Sequence, residues 1–124
     1  MAQRQNLMKN PSPTGMPEAV RVGDLIFVKG MTGFRQGQPV APDMDGQMRT
    51  AYGLIADALA QAGASMANVV DQTVFVTDVE AAMAVHGQIR QDVFGDNKPA
   101  SATVQVTRLG LPGLMVEIKV TAHV

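Results

Sequence analysis

The stretch Val69-Val70-Asp71-Gln72-Thr73-Val74-Phe75-Val76-Thr77 decides the fold, because helix signals and a second strand come directly after it. Valine, threonine and phenylalanine dominate it, and β-branched and aromatic residues suit a pleated surface. Asp78 then stands where a helix N-cap is expected, and the run Val79 to Phe94 reads as a helix stopped near Gly95 and Pro99. Its apolar stripe is Val79, Ala82, Met83, Ile89 and Val93, with His86 inside it. After the helix, Ala102, Val104 and Val106 alternate with Ser101, Thr103, Gln105 and Thr107, the period of a strand with one polar face. A strand, a helix and a second strand in close succession predict a β-α-β unit.

The flanks extend this unit. Upstream, residues 45–62 place Met48, Ala51, Tyr52, Ile55, Leu59 and Ala62 at helical spacing, with Asp45 as the expected N-cap and Gly63 as the expected residue past the C-terminus. Before that come two β-rich runs, Ala19–Val22 and Leu25–Val28, separated by Gly23-Asp24, which reads as a hairpin. A short edge strand is expected around Gln3–Met8, and a loop punctuated by Pro11, Pro13, Gly15 and Pro17 comes next. Gly30, Gly33, Gly37, Pro39 and Pro42 mark a long loop. Downstream, Gly110, Pro112 and Gly113 make a turn into a last strand. There Val116, Ile118, Val120 and Ala122 alternate with Glu117, Lys119, Thr121 and His123. The expected order is β-β-β-α-β-α-β-β: one α+β domain spanning 1–124, a mixed sheet with both helices on one face. Polar residues are expected on the other face, where a second subunit or a solvated cavity fits better than lipid.

Composition narrows the function. The chain has 124 residues, 46% hydrophobic and 17% charged, with a net charge of −1. Such values are globular, and near-neutrality gives no reason to expect nucleic acid as a partner. There is no cysteine, so disulfides, thiolate metal sites and cysteine nucleophiles are excluded. Residues 1–20 lack an apolar signal core and no run is long enough to span a membrane, which predicts a cytoplasmic protein. Few charges and nine methionines leave little polar surface for so small a chain, a pattern that fits burial in an oligomer.

Several segments resemble one family. Ala19-Val20-Arg21-Val22-Gly23-Asp24-Leu25-Ile26-Phe27-Val28, then Lys29-Gly30, is similar to the strand pair of the Rid (reactive intermediate deaminase, YjgF/UK114-like) family. Asn68-Val69-Val70 through Val76-Thr77-Asp78 resembles its central strand. Lys98-Pro99-Ala100-Ser101-Ala102-Thr103-Val104 resembles its "KPARSTV" signature, and Val116-Glu117-Ile118 its terminal "VEI". The resemblance implies a chorismate-mutase-like fold, a homotrimer with three clefts between subunits, and hydrolysis of enamines and imines with no metal and no cofactor.

It also implies site residues. Glu117 matches the glutamate that handles water. Ser101 stands where the deaminase branch has an arginine that forks onto a substrate carboxylate, so the charge for that task is missing. The chain thus resembles the arginine-less branches. Met16, Met31 and His86 replace a tyrosine, a glutamine and an asparagine of the cleft. With Met16 and Met31 as an apolar lining, and with neighbouring subunits of the trimer supplying the two sides of the cleft, Glu117 and His86 are expected to act as an acid–base pair titrating near neutral pH. The competing reading of His86 is a core histidine satisfied by one hydrogen bond, and that of Glu117 a strand glutamate paired with Lys119. Gly30 offers a backbone N–H or only a bend; Thr103 lines the cleft or faces the trimer centre. Arg108 supplies a displaced charge or a solvated strand end. Three functions stand open: a small-molecule hydrolase or tautomerase, a non-catalytic ligand-binding trimer, and, least supported by a neutral chain, the ribonuclease or translation-inhibitor role of some relatives.

Overall fold

The computed structural model describes residues 2–8 and 14–124, so Pro11 and Pro13 lie outside the described residues. Strands β1 (Arg4–Leu7), β2 (Ala19–Val22), β3 (Leu25–Val28), β4 (Met31–Thr32), β5 (Val69–Val76), β6 (Ala100–Gln105) and β7 (Val116–His123) form one sheet in the order β1-β2-β3-β7-β5-β6, with the short β4 also on β7. Helices α1 (Met44–Ala60) and α2 (Val79–Phe94) connect β4 to β5 and β5 to β6. β5 and β6 run parallel, as an intervening helix allows, and the other pairs are antiparallel. This is the α+β arrangement that the patterns predict, with β4 added inside the stretch expected to be loop.

Local chemistry sets the ends of these elements. Gly23, with φ +59°, turns the β2–β3 hairpin. Asp78 accepts from the N–H groups of Glu80 and Ala81 at 3.1 Å, and Gln105 Oε1 accepts from Val79 N–H at 2.9 Å. The α1 cap is Asp43, not Asp45: its carboxylate accepts from Gly46 N–H at 2.9 Å. Starting earlier brings Met44 and Gln47 onto the buried stripe. Asp45 falls in the first turn, beside the positive end of the helix, and pairs with Arg49 at i,i+4.

Both helices cover one sheet face. Met48, Ile55, Leu59 and Ile89 from the helices meet Ile26, Val28, Val74, Val76, Ile118 and Val120 from the strands. Met83, expected in the α2 stripe, is 61% exposed, because Ala82, His86 and Ile89 already fill the inward arc and Met83 lies about 100° round from Ala82.

The other face is open and is more apolar than the sequence suggested. On β7, Glu117, Lys119, Thr121 and His123 point there, as alternation predicts. On β6 the parity is the reverse of the expectation. The parallel register pairs Ser101 with Gln72, Thr103 with Val74 and Gln105 with Val76, so the polar row looks toward the helices. Ala102 and Val104 are left on the open face. They share it with Phe75, Leu25, Phe27 and Val20.

Candidate functional site

Glu117 is held at the centre of the open face. β7 pairs it with Thr32 of β4 on one side and Phe75 of β5 on the other. Its carboxylate lies over Gly30: a methyl group added there would stand 2.6 Å from Oε2, so a larger residue would displace the carboxylate. Gly30 therefore makes room for the side chain. Lys119, two residues along on the same face, turns its Nζ to the carbonyl of Val28, and burial holds its pKa below the usual lysine value. Glu117 is left half-buried with no hydrogen bond or ion pair among the described residues. A carboxylate in that position is free to take a water or a ligand hydrogen.

Ser101 belongs to a different arrangement on the helix side of the sheet. Gln72 Nε2 donates to its Oγ at 3.0 Å. The Tyr52 hydroxyl donates to Gln72 Oε1 at 2.8 Å, and His86 Nε2 lies 3.0 Å from the same Tyr52 oxygen. Four polar side chains from α2, α1, β5 and β6 thus run in a line from the core to the exposed Ser101. Phe94 meets the Tyr52 ring edge-on, with 5.5 Å between centroids, and keeps the phenol in the core.

This geometry corrects the expected pair. His86 is 1% exposed and faces Tyr52, whereas Glu117 leaves the opposite side of the sheet. Burial, with a smaller contribution from the Arg90 charge, pushes the imidazole down to about 4, so it is neutral at pH 7 and does not titrate near neutrality. The core reading of His86 is the one that fits, because its stripe position puts the ring under the sheet with a single partner. Met31 is a core residue too, paired with Ile118 on the helix side, and Met16 is 60% exposed, so the two do not form a common lining around Glu117. Ser101 and Glu117 likewise do not meet in the chain.

Thr103 is half-buried beside Ser101, one pleat along the same row. Arg108 sits farther on, at a cleft of about 430 Å³ lined also by Thr77, Thr107, Leu111, Leu114 and Met115. Its Nε donates to Leu109 O at 3.2 Å, and its terminal nitrogens have no partner among the described residues. Among those residues no group of three or more His, Asp or Glu is placed to hold a metal, and no helix is long and apolar enough to cross a membrane.

Sequence reasoning missed Tyr52, Gln72 and Gln47. Tyr52 reads as one more stripe residue, although it is the only tyrosine of the chain. The signal available for Gln72 was a glutamine at an inward position of a strand whose other inward residues, Val74 and Val76, are apolar.

Comparison with known proteins bears on the whole assembly of elements. The family model described as endoribonuclease L-PSP matches residues 10–124. The chain belongs to the YjgF/Rid family. A RutC family protein of Pyrococcus abyssi is 32% identical over 118 residues, 93% of this chain and 91% of that one. The RutC family protein YjgH of Escherichia coli is 35% identical over 107 residues, 86% of this chain and 80% of that one. Among solved structures, a YjgF/YER057c/UK114 family member from Mycobacterium tuberculosis superposes with a TM-score of 0.86 at 37% identity, covering 98% of this chain and all of the other. A Rid protein of unknown function from Yersinia pestis gives 0.87 at 28% identity, covering 98% of this chain and 100% of that one. The mixed sheet with its two helices is the YjgF-like fold.

Proposed function

We propose that this YjgF/Rid family chain works in the cytoplasm as a single-domain homotrimer that binds a small carbonyl, imine or enamine compound between subunits and hydrolyses it without a cofactor. The observation that carries this reading is Glu117: a half-buried carboxylate set over Gly30, with no partner among the described residues, in the middle of an uncovered sheet face. In the proposed step Glu117 takes a proton from water as the water oxygen bonds to the C=N carbon. The carboxyl then returns the proton to the nitrogen of the tetrahedral adduct. Glu117 then moves the hydroxyl proton of the adduct to the departing nitrogen as the C–N bond breaks, releasing ammonia and leaving the carbonyl product.

Ser101 bears on the substrate. It offers one hydroxyl and no charge where the resembling deaminases have a guanidinium, which favours neutral compounds over amino-acid-derived imines. Losing a charge-assisted fork costs about 2–5 kcal/mol of recognition where nothing replaces it. Arg108, lining a mostly apolar cleft with its terminal nitrogens unpaired among the described residues, is the candidate for a displaced carboxylate contact. The second reading, a ligand-binding trimer without catalysis, draws on the same Ser101. An RNA-cleaving role draws on the family description alone, and a net charge of −1 opposes it.

The experiment is hydrolysis of neutral imines generated in situ from small primary amines, comparing wild type with Glu117→Gln. The proposal expects release of ammonia by the wild type and its loss in the variant with the assembly unchanged. Equal rates in both remove Glu117 from the chemistry.

A further inference from the structure

The register of the sheet breaks beside Glu117. Phe27 faces Thr121 and Met31 faces Ile118, so Val28, Lys29 and Gly30 together lie opposite only Lys119 and Val120. One extra residue in a ladder is a β-bulge, which frees backbone groups and re-aims the side chains around it. Two side chains of β7 end on this bulge from the open face. The Glu117 carboxylate lies over Gly30, and Lys119 Nζ donates to the carbonyl of Val28. Glu117 and Lys119 are two residues apart on one extended strand, so their backbones are about 6–7 Å apart. A gap of that size holds one water and one C=N group in line.

Lys119 is equipped to donate a proton across that gap. An ammonium has three N–H bonds, and the Val28 carbonyl takes one of them. Glu117 and Asp71 share its face, yet Lys119 forms no ion pair among the described residues, and its cross-strand neighbour, Thr73, carries no charge. Burial holds its pKa below the usual lysine value, which makes the ammonium a readier acid. The alternatives fail on position or chemistry: His86 lies under the opposite face, and an arginine such as Arg108 does not give up its proton.

We infer that Lys119 is the general acid of this site: its ammonium protonates the nitrogen of a neutral imine while Glu117 draws a proton from the attacking water. The inference rests on the proposed hydrolysis and deepens it. An N–H imine must collect two protons to leave as ammonia. Lys119 supplies the first as the water oxygen bonds to carbon, and the carboxyl of Glu117 supplies the second to the nitrogen of the adduct. As the C–N bond breaks, the adduct hydroxyl gives its proton to the Lys119 amine, which restores the ammonium and leaves the carbonyl product. Lys119 thus takes over one of the transfers that Glu117 would otherwise make alone. The assignment also defines the substrate: a C=N nitrogen with a free lone pair uses the acid, and one that is already fully alkylated and cationic has no need of it.

The test gives the full chain two small cyclic substrates at pH 8: 1-pyrroline, a neutral imine, and N-methyl-1-pyrrolinium, its permanently charged counterpart. Ring opening is read by trapping the aldehyde. Lys119→Met is expected to slow the opening of 1-pyrroline by about a hundredfold, the ordinary worth of a positioned acid, and to leave that of N-methyl-1-pyrrolinium unslowed. Lys119→Arg should be as slow as Lys119→Met on 1-pyrroline, because a guanidinium keeps the charge and holds its proton. If Lys119→Met folds poorly, Lys119→Arg carries the same comparison. Glu117→Gln should slow both substrates. Lys119 variants that open 1-pyrroline at the wild-type rate, that slow both substrates equally, or that regain the rate with arginine overturn the inference and leave Glu117 in place. A Glu117→Gln variant that spares both substrates overturns the hydrolysis itself, so the two readings fail by different variants. A wild type that opens neither ring overturns both.

Discussion

The Tyr52 hydroxyl lies 3.0 Å from His86 Nε2, and both side chains are buried beneath the sheet. Burial fixes the protonation of each: the phenol is pushed up to about 12 and the imidazole down to about 4. A neutral pair joined by one hydrogen bond is a structural element with a measurable pH signature.

That signature is loss of stability on mild acidification. An unfolded histidine titrates near 6.5, while folded His86 titrates near 4. Between those values the unfolded chain takes up a proton that the folded chain refuses, so stability falls as pH falls through that window and this contribution levels off below it. The total is on the order of 3 kcal/mol. Urea unfolding of wild type and His86→Asn at pH 7.5 and pH 4.5 should show the extra loss only in the wild type. Parallel losses in both would mean that His86 is protonated in the native state.

Tyr52→Phe should be costly for a change of one oxygen. It leaves Gln72 Oε1 and His86 Nε2 without their partner in the core, at about 1–3 kcal/mol for a buried group so stranded. Denaturant midpoints check it. A loss below about 0.5 kcal/mol, typical of surface changes, would show that the row carries little energy.

Most of the fold was legible because hydrophobic periodicity and punctuation agree along this chain. Asp78 and Gly95 bracket α2 as read, and Gly23 turns the hairpin as read. β4 was not legible, since a two-residue strand has no period. The β6 faces were misassigned because alternation gives two rows without saying which row meets the helices; pairing with Gln72 decides it. The site was legible in part. Glu117 and Gly30, read separately as candidates, stand in contact on the open face. Met31 and His86 are inside because their strand and helix phases put them there, which a position-by-position resemblance does not encode.

Gln47 joins α1 to the loop that leads into β7. Its Oε1 accepts from Met115 N–H at 2.8 Å, and its Nε2 donates to Gly113 O at 2.9 Å and Ala41 O at 3.0 Å. Gly33 packs on it so closely that a methyl there would stand 2.6 Å from Gln47 Cβ. Gln47→Leu should cost about 3 kcal/mol, roughly one per bond lost. It should also raise hydrogen exchange in residues 111–115, which bound the Arg108 cleft. Unchanged exchange there would mean the loop is held by other contacts.

The open sheet face predicts assembly. Leu25, Phe27 and Val104 are each about 40% exposed on it, an apolar area that a soluble protomer rarely leaves bare. Light scattering should give a trimer for the wild type and smaller species for Phe27→Glu. A wild-type monomer at micromolar concentration would refute the proposed assembly.

Ser101 and Glu117 leave opposite faces of one sheet, so they serve one ligand only if two protomers contribute to each site. Mixing variants tests this directly. Glu117→Gln removes the carboxylate and Ser101→Trp fills the other subsite, and each alone should be inactive in imine hydrolysis. Co-assembled in equal amounts, a site formed between neighbouring subunits regains both intact halves in roughly a quarter of cases. The account predicts that fraction of wild-type activity in the mixture. A mixture no more active than either variant alone would contradict a site shared between subunits.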